Sequence, residues 1–233
     1  MKRIDPTLDA AKSNAAARAV AAIENKMVLG LGSGSTASLA IEMIGQRVAE
    51  GLDVTGIPTS ERTAALARKV GVPLTDFARH RRIDLTIDGA DQIEEGTLNL
   101  IKGLGGALLR EKIVAETSVR MIVVADHTKL VKQLGARTSL PVEIVPFGHE
   151  VAMAKLEELG CGIALRKVDG KAFITDGGNF VADCSFAAIP DAAGLQVQLK
   201  HITGVVETGL FVGLASQALL GTDDGVTLLE RAG

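Results

Sequence analysis

VLGLGSGSTAS, residues Val28–Ser38, passes from a short apolar run into glycines and hydroxyls. Overlapping its end, TASLAIEMIGQRVAEG, from Thr36, places Ala37, Ile41, Ile44 and Val48 at helical spacing and stops at Gly51. Met27–Leu31 has the look of a strand buried on both faces, so strand, glycine turn and helix stand in the order of a βα unit. Such a turn aims several backbone N–H groups and the positive end of the helix at one point, which attracts a phosphate. Ser33, Ser35 and Thr36 add hydroxyl donors, and Gly34 lets the backbone come close to the ligand. The alternative is a tight turn that uses glycine for geometry alone.

The nucleotide motifs do not fit. A triphosphate-binding loop needs a lysine after its last glycine, and none follows Gly34. A dinucleotide fingerprint needs a third glycine where Ser35 stands, and an acidic residue ending the second strand, where GIPTSE offers only Glu61. A single phosphate group is the expected ligand.

Outward from this unit the alternation continues. A helix is expected over Leu8–Ile23 with Thr7 as its cap, a strand over Val54–Pro58, a helix over Ser60–Val70 and a strand over Ile83–Asp88. A helix over Gly106–Glu116 and a very apolar strand over Met121–Ala125 follow. Strands alternating with helices imply a parallel sheet covered on both faces, with ligands beyond the carboxyl ends of its strands. After LGARTSLPVEIVPF the elements shorten. Strands are expected at Val142–Val145, Gly162–Val168, Phe173–Thr175, Asn179–Phe186 and Gly204–Phe211, with helices at His149–Leu159 and Ala192–Ile202. The expected fold is α/β: a Rossmann-like parallel sheet with helices on both faces (residues 1–134 and 213–233), plus a smaller α+β, ferredoxin-like domain (residues 135–212).

Composition narrows the function. The 233 residues are 47% hydrophobic with a formal charge of −3, an ordinary globular balance without a basic field to hold nucleic acid or an anionic membrane. Trp and Tyr are absent, which argues against a base-stacking platform. Cys161 and Cys184 are too few and too far apart for a disulfide framework or a zinc pair, and are expected to be reduced and packed. MKRIDPTLDAAKSNAAARAV carries charges throughout, so neither a signal peptide nor a membrane span is expected, and a cytoplasmic location follows. The four histidines are scattered and expected to be surface or structural residues.

The chemistry concentrates in two further segments. IDLTIDGADQ delivers Asp88 and Asp91 at the carboxyl end of a buried strand. Two carboxylates there can hold a divalent cation or trade protons with hydroxyls, or can merely cap a helix. LIKGLGGALLREK then places Lys102 before a second glycine loop and Glu111 on the following helix. Apolar neighbours Leu108, Leu109 and Ile113 can raise the pKa of Glu111, although periodicity alone makes it a surface carboxylate paired with Lys112 or Arg110.

GLGSGSTA, DGADQ, IKGLGGALLREK and ADHTK, in this order and at these separations, resemble the A-type ribose-5-phosphate isomerases. LPVEIVPF, TDGGN, GVVETGLF and GTDDGV extend the resemblance over nearly the whole chain. It implies an aldose–ketose isomerase of the non-oxidative pentose phosphate pathway that interconverts ribose 5-phosphate and ribulose 5-phosphate through an enediolate, with no metal and no cofactor. It implies Glu111 as the base, with Asp88, Asp91 and Lys102 also catalytic. It places substrate contacts on Ser33, Gly34, Ser35 and Thr36, on Asp88, Gly89, Ala90 and Asp91, on Lys102, Gly103, Leu104 and Gly105, and on Lys129. Lys12, at the matching distance before the first loop, joins them, and the family suggests a homodimer. Three departures stand out: Gln92 for a frequent glutamate, Ser33 where threonine is common, and one extra residue between Asp91 and Lys102. Thr59 and Ser60 follow the second strand but are left out of the expected site. Two other classes share this kind of sheet, a sugar-phosphate-sensing regulator domain and a CoA transferase with a glutamate nucleophile. The first needs a helix-turn-helix, for which no room precedes the first strand. Trapping Glu111 as a thioester would mark the second.

Overall fold

The computed structural model describes residues 6–231. The first half runs α1 (Pro6–Val20), β1 (Val28–Leu31), α2 (Ser35–Ala49), β2 (Thr55–Pro58), α3 (Glu61–Lys69), β3 (Leu85–Asp88), β4 (Gln92–Glu94), β5 (Leu100–Ile101), α4 (Leu108–Glu116) and β6 (Met121–Asp126). A 3-10 turn at His127–Lys129 leads to β7 (Leu130–Val131), β8 (Leu140–Ile144), α5 (His149–Glu157), β9 (Gly162–Leu165), β10 (Lys167–Val168) and β11 (Lys171–Ala172). The chain closes with β12 (Phe180–Ser185), α6 (Ala192–Lys200), β13 (Val205–Thr208), β14 (Leu210–Phe211), β15 (Gln217–Thr222) and β16 (Gly225–Glu230).

The main sheet has the order β16-β15-β6-β3-β1-β2, parallel except for the edge strand β16. Its central strands are apolar throughout because both faces are covered. On β6, Ile122 and Val124 join the cluster under α1 and α2, whereas Met121, Val123 and Ala125 join a second cluster with Ile93, Leu100 and Phe211. The chain leaves β1 for β2 on one side and returns to β3 on the other, so a crevice opens where β1 and β3 end. That is the position at which open α/β sheets take their ligands.

The smaller sheet has the order β13-β8-β12-β9, antiparallel throughout, with α5 and α6 in the crossovers. Its own cluster of buried side chains includes Val142, Ile144, Leu156, Ala182 and Leu199. This is the β/α/β/β/α/β order read from the sequence. Phe173–Thr175, expected as a strand, is not one. Asp169 (φ 51°) and Gly170 (φ 77°) turn the chain earlier and pair β10 with β11, and Thr175 is drawn off to donate from Oγ1 to Glu143 Oε1 at 2.8 Å.

The expected strand Gly162–Val168 breaks at Arg166, and Gly204–Phe211 breaks at Gly209. Gly209 receives the Lys102 N–H on its carbonyl and donates its own N–H to Pro141 O, so β14 leaves the small sheet and pairs with β5. Thr7, expected as a cap, lies inside α1. The longer excursion after Asp91 is the β4–β5 hairpin, where Glu94 Oε2 accepts from Thr97 and Asn99. Gln92 is buried within it and accepts the Gly135 N–H at 2.8 Å. Cys161 and Cys184 are buried free thiols. Among the described residues no helix is long and apolar enough to cross a membrane.

Candidate active site

Three adjacent strands, β1, β3 and β6, end on one cavity of about 350 Å³. The turn after β1 supplies Ser33, Gly34, Ser35 and Thr36, the turn after β3 supplies Gly89, Ala90 and Asp91, and the turn after β6 supplies Asp126, Thr128 and Lys129. Lys102, Gly103, Gly105 and Glu111 close one wall, and Leu8 and Lys12 of α1 another.

Gly34 caps α2 at φ 99°, a conformation that a side chain resists, and no side chain caps that helix end. The first N–H groups of α2 therefore face the cavity without the partner that Ser60 gives to α3 and Asp191 gives to α6. The Ser33 hydroxyl points the other way. It lies 2.8 Å from Thr59 Oγ1, 3.0 Å from Ser60 Oγ and 3.0 Å from Thr63 Oγ1, so it anchors the turn from beneath. Thr59 and Ser60, left out of the sequence reading, thus enter as supports of the turn.

Asp88, expected among the catalytic and substrate-contacting residues, is fully buried just behind the residues that line the cavity. Its Oδ1 accepts the N–H groups of Ser33 (2.9 Å) and Gly89 (2.7 Å), and its Oδ2 lies 3.1 Å from Lys102 Nζ. It ties the phosphate turn to the strand that carries the acidic turn. Leu104 also leaves the lining; its N–H donates to Asp91 Oδ2 at 2.9 Å.

Lys102 is 3% exposed and pairs with two carboxylates, Asp88 and, at 3.3 Å, Glu111 Oε1, and it donates to Gly89 O at 2.6 Å. Phe211 lies beneath, its ring centre 5.5 Å from Lys102 Nζ and 5.0 Å from Lys112 Nζ, so the π face offsets some of the lost hydration of both cations. Lys112 turns away from the cavity to Glu207 and Thr208 O.

Glu111 is 5% exposed rather than on the surface, and its Oε2 has no hydrogen-bond partner among the described residues. Burial pushes its carboxyl up, the Lys102 ammonium pulls it back, and the charges of Asp88 and Asp91 push it up again, to about 8. Burial likewise raises Asp88 against the pull of Lys102. Lys102 is held above its ordinary value: burial works against its charge, but Asp88, Glu111 and Asp91 outweigh it. Burial and the neighbouring carboxylates together outweigh the single Lys102 ammonium at Glu111.

The sign of the pH dependence follows. A base works deprotonated, so kcat/KM should rise with pH along an acid limb whose midpoint lies near the Glu111 value of about 8. That stands clear of a phosphate monoester, which titrates near about 6. A pH–rate profile checks it; a limb at ordinary carboxylate pH would remove Glu111 as the base.

Asp126 went unnoticed in the sequence. It is buried, lines the cavity and accepts from the N–H and hydroxyl of Thr128, fixing the turn that carries Lys129. Its place at the end of β6, matching Asp88 at the end of β3, was the available signal. Lys12 lines the cavity 3.5 Å from Asp9. His127 and His201 are exposed, and His80 and His149 half-buried.

An anion-binding helix end facing a buried base and a buried cation defines a class: an α/β enzyme that does acid–base chemistry on a small phosphate ester. Residues 55–225 match the family model described as ribose 5-phosphate isomerase A (phosphoriboisomerase A). The chain is 52% identical to ribose-5-phosphate isomerase A of Gloeobacter violaceus, over 95% of this chain and 96% of that protein. It is 50% identical to the Parvibaculum lavamentivorans protein of the same name, over 95% and 98%. The Methanocaldococcus jannaschii ribose 5-phosphate isomerase A structure superposes with a TM-score of 0.92 at 40% identity, covering 96% of this chain and 99% of that one. A D-ribose-5-phosphate isomerase in complex with phospho-erythronic acid superposes with a TM-score of 0.93 at 36% identity, over 96% and 99%. The chain belongs to the ribose-5-phosphate isomerase A family.

Proposed function

We propose that this chain interconverts ribose 5-phosphate and ribulose 5-phosphate by proton transfer through an enediolate, as a step of the non-oxidative pentose phosphate pathway. The observation that carries the reading is Glu111, a raised-pKa carboxylate 3.3 Å from Lys102, in one cavity with the uncapped start of α2. The substrate phosphate sits on the N–H groups and hydroxyls of Ser35 and Thr36, with Lys12 and Lys129 adding charge. That anchorage positions the open-chain sugar and converts binding into a lower barrier.

Glu111 takes the proton from C2, and the electron pair moves toward the carbonyl oxygen O1. Lys102 stabilises the negative charge on the enediolate oxygens. A proton moves from O2 to O1 with Asp91 as carrier, and Glu111 returns its proton to C1, giving the ketose. One base suffices because both carbons present the same face. Asp88 acts by holding Lys102 and the phosphate turn. Phospho-erythronic acid, bound by the relative above, joins a phosphate to a planar anionic carboxylate, the charge layout of the enediolate.

No metal takes part in this reading, because the Lys102 ammonium occupies the space between Asp88 and Glu111 where a cation would bridge them. A coupled assay of the purified protein on ribose 5-phosphate, with and without chelator, tests both claims. Equal turnover is expected; no turnover would sink the isomerase reading, and strict dependence on an added divalent ion would make the acidic residues ligands. We also propose a cytoplasmic homodimer, checked by light scattering at twice the chain mass. Residues 135–212 are proposed as a domain distinct from 1–134 with 213–233, a division supported by the smaller sheet's own antiparallel pairing and by a cluster of buried side chains drawn mainly from it, to which Ile101, Val131 and Leu134 of the larger part add.

A further inference from the structure

Arg166 belongs to none of the motifs, stands at the break between β9 and β10, and reaches out of the small sheet to the glycine loop that follows Lys102. Its Nη1 donates to the carbonyls of Gly103 and Leu104, both at 2.9 Å. Its Nε donates to Asp183 Oδ2 at 2.9 Å, and its Nη2 donates to Asp183 Oδ1, a planar two-point pairing that fixes the guanidinium. The side chain is 12% exposed, and Phe173 lies against the guanidinium with its ring centre 5.9 Å away. Phe173 also packs on Gly106 (φ 82°), where a Cβ would fall 2.3 Å from its ring. Arg166 and Phe173 thus grip the loop at both ends.

Peptide geometry gives this grip a consequence. In a trans peptide the carbonyl and the N–H point in opposite directions. With the Gly103 carbonyl on Arg166, the Leu104 N–H faces the other way, onto Asp91 Oδ2 at 2.9 Å. With the Leu104 carbonyl on the same nitrogen, the Gly105 N–H points away from Arg166; Gly105 lines the cavity, and its N–H meets no backbone acceptor among the described residues.

We propose that Arg166, locked by Asp183, is a positioning residue for the isomerisation: it sets two successive peptide planes so that Asp91 stays aimed and the Gly105 N–H meets the oxygen that gains charge. A positively charged group in one domain thereby tunes the reactive end of the site in the other, without touching the sugar. The proposal rests on the isomerase reading above.

The test is kcat and KM for ribose 5-phosphate in Arg166→Met, Arg166→Lys and Leu199→Ala, with hydrogen–deuterium exchange across residues 102–106. Leu199 is fully buried in the small-domain core, so its truncation reports what loss of stability alone does. Arg166→Met should lower kcat by about 10–100-fold with KM within about threefold, because a loop shift of an ångström misplaces the reacting groups while the phosphate end is untouched. Arg166→Lys should fall between it and the wild type, and exchange in 102–106 should quicken in both. Leu199→Ala should lower Tm yet keep kcat near that of the wild type.

Wild-type kcat in Arg166→Met would overturn the proposal, as would a loss in Leu199→Ala equal to that in Arg166→Met. If Arg166→Met does not fold, Arg166→Lys decides: undiminished kcat with unchanged loop exchange overturns the proposal. Absent turnover in the wild type would instead strike the isomerase reading and leave these outcomes distinct from it.

Discussion

Replacing Glu111 by glutamine should lower kcat for ribose 5-phosphate by about 10³–10⁴-fold while KM moves less than about threefold. Glutamine keeps the volume of the side chain and an oxygen able to face Lys102 at the position that Oε1 holds, 3.3 Å away. It loses only the capacity to take and return a proton. The phosphate turn lies on other elements, so binding should survive, and the loss should fall on the chemical step. Washout of the C2 proton of labelled ribose 5-phosphate into solvent should vanish in parallel. Near-wild-type kcat would transfer the proton shuttle to another group, with Asp91 and Asp126, the other carboxylates that line the cavity, first in line.

The residue that matters most to this prediction was also the hardest to place by pattern. On α4, Glu111 is followed by Lys112 and preceded by Arg110, and its periodicity is that of a surface helix. It is buried because β14 brings Phe211 under the loop and Lys102 folds back between Asp88 and Glu111. Those contacts come from segments far apart in the chain, and no local window contains them.

The β1–α2 unit was legible because its information is local: an apolar strand, a turn needing Gly34 at positive φ, and a helix face repeating every third or fourth residue. The same holds for Asp88 and Asp91 at a strand end, though the burial of Asp88 and its bonds to the Ser33 and Gly89 N–H groups come from tertiary structure. Arg166 had no signal at all. A lone arginine between short strands reads as a solvated charge until tertiary structure sets the Gly103 and Leu104 carbonyls before it. The β10–β11 hairpin turns at Asp169–Gly170, both at positive φ, earlier in the chain than the strand expected at Phe173–Thr175.

Lys102→Met should combine two losses. Removing a preorganised positive group from the developing oxyanion costs about 10²–10³-fold in kcat. The same change removes the cation that does most to pull the buried carboxylates of Asp88 and Glu111 down, so their pKa values climb further and the acid limb of kcat/KM shifts above the wild-type midpoint of about 8. Activity near neutral pH should therefore fall further than at high pH. Stability should fall as well, by about 3–5 kcal/mol where the stranded carboxylates would otherwise be charged. The sign is set by proton linkage. In the variant these acids hold their protons in the folded state at pH values where the unfolded chain has released them, so stability drops as pH rises above the unfolded carboxylate range. Denaturant melts at pH 4 and pH 8 check it: the variant should approach the wild type at pH 4 and lag it most at pH 8. A loss independent of pH would mean that Lys102 supports the fold through its stem and its bond to Gly89 O, and that Asp88 and Glu111 do not depend on its charge.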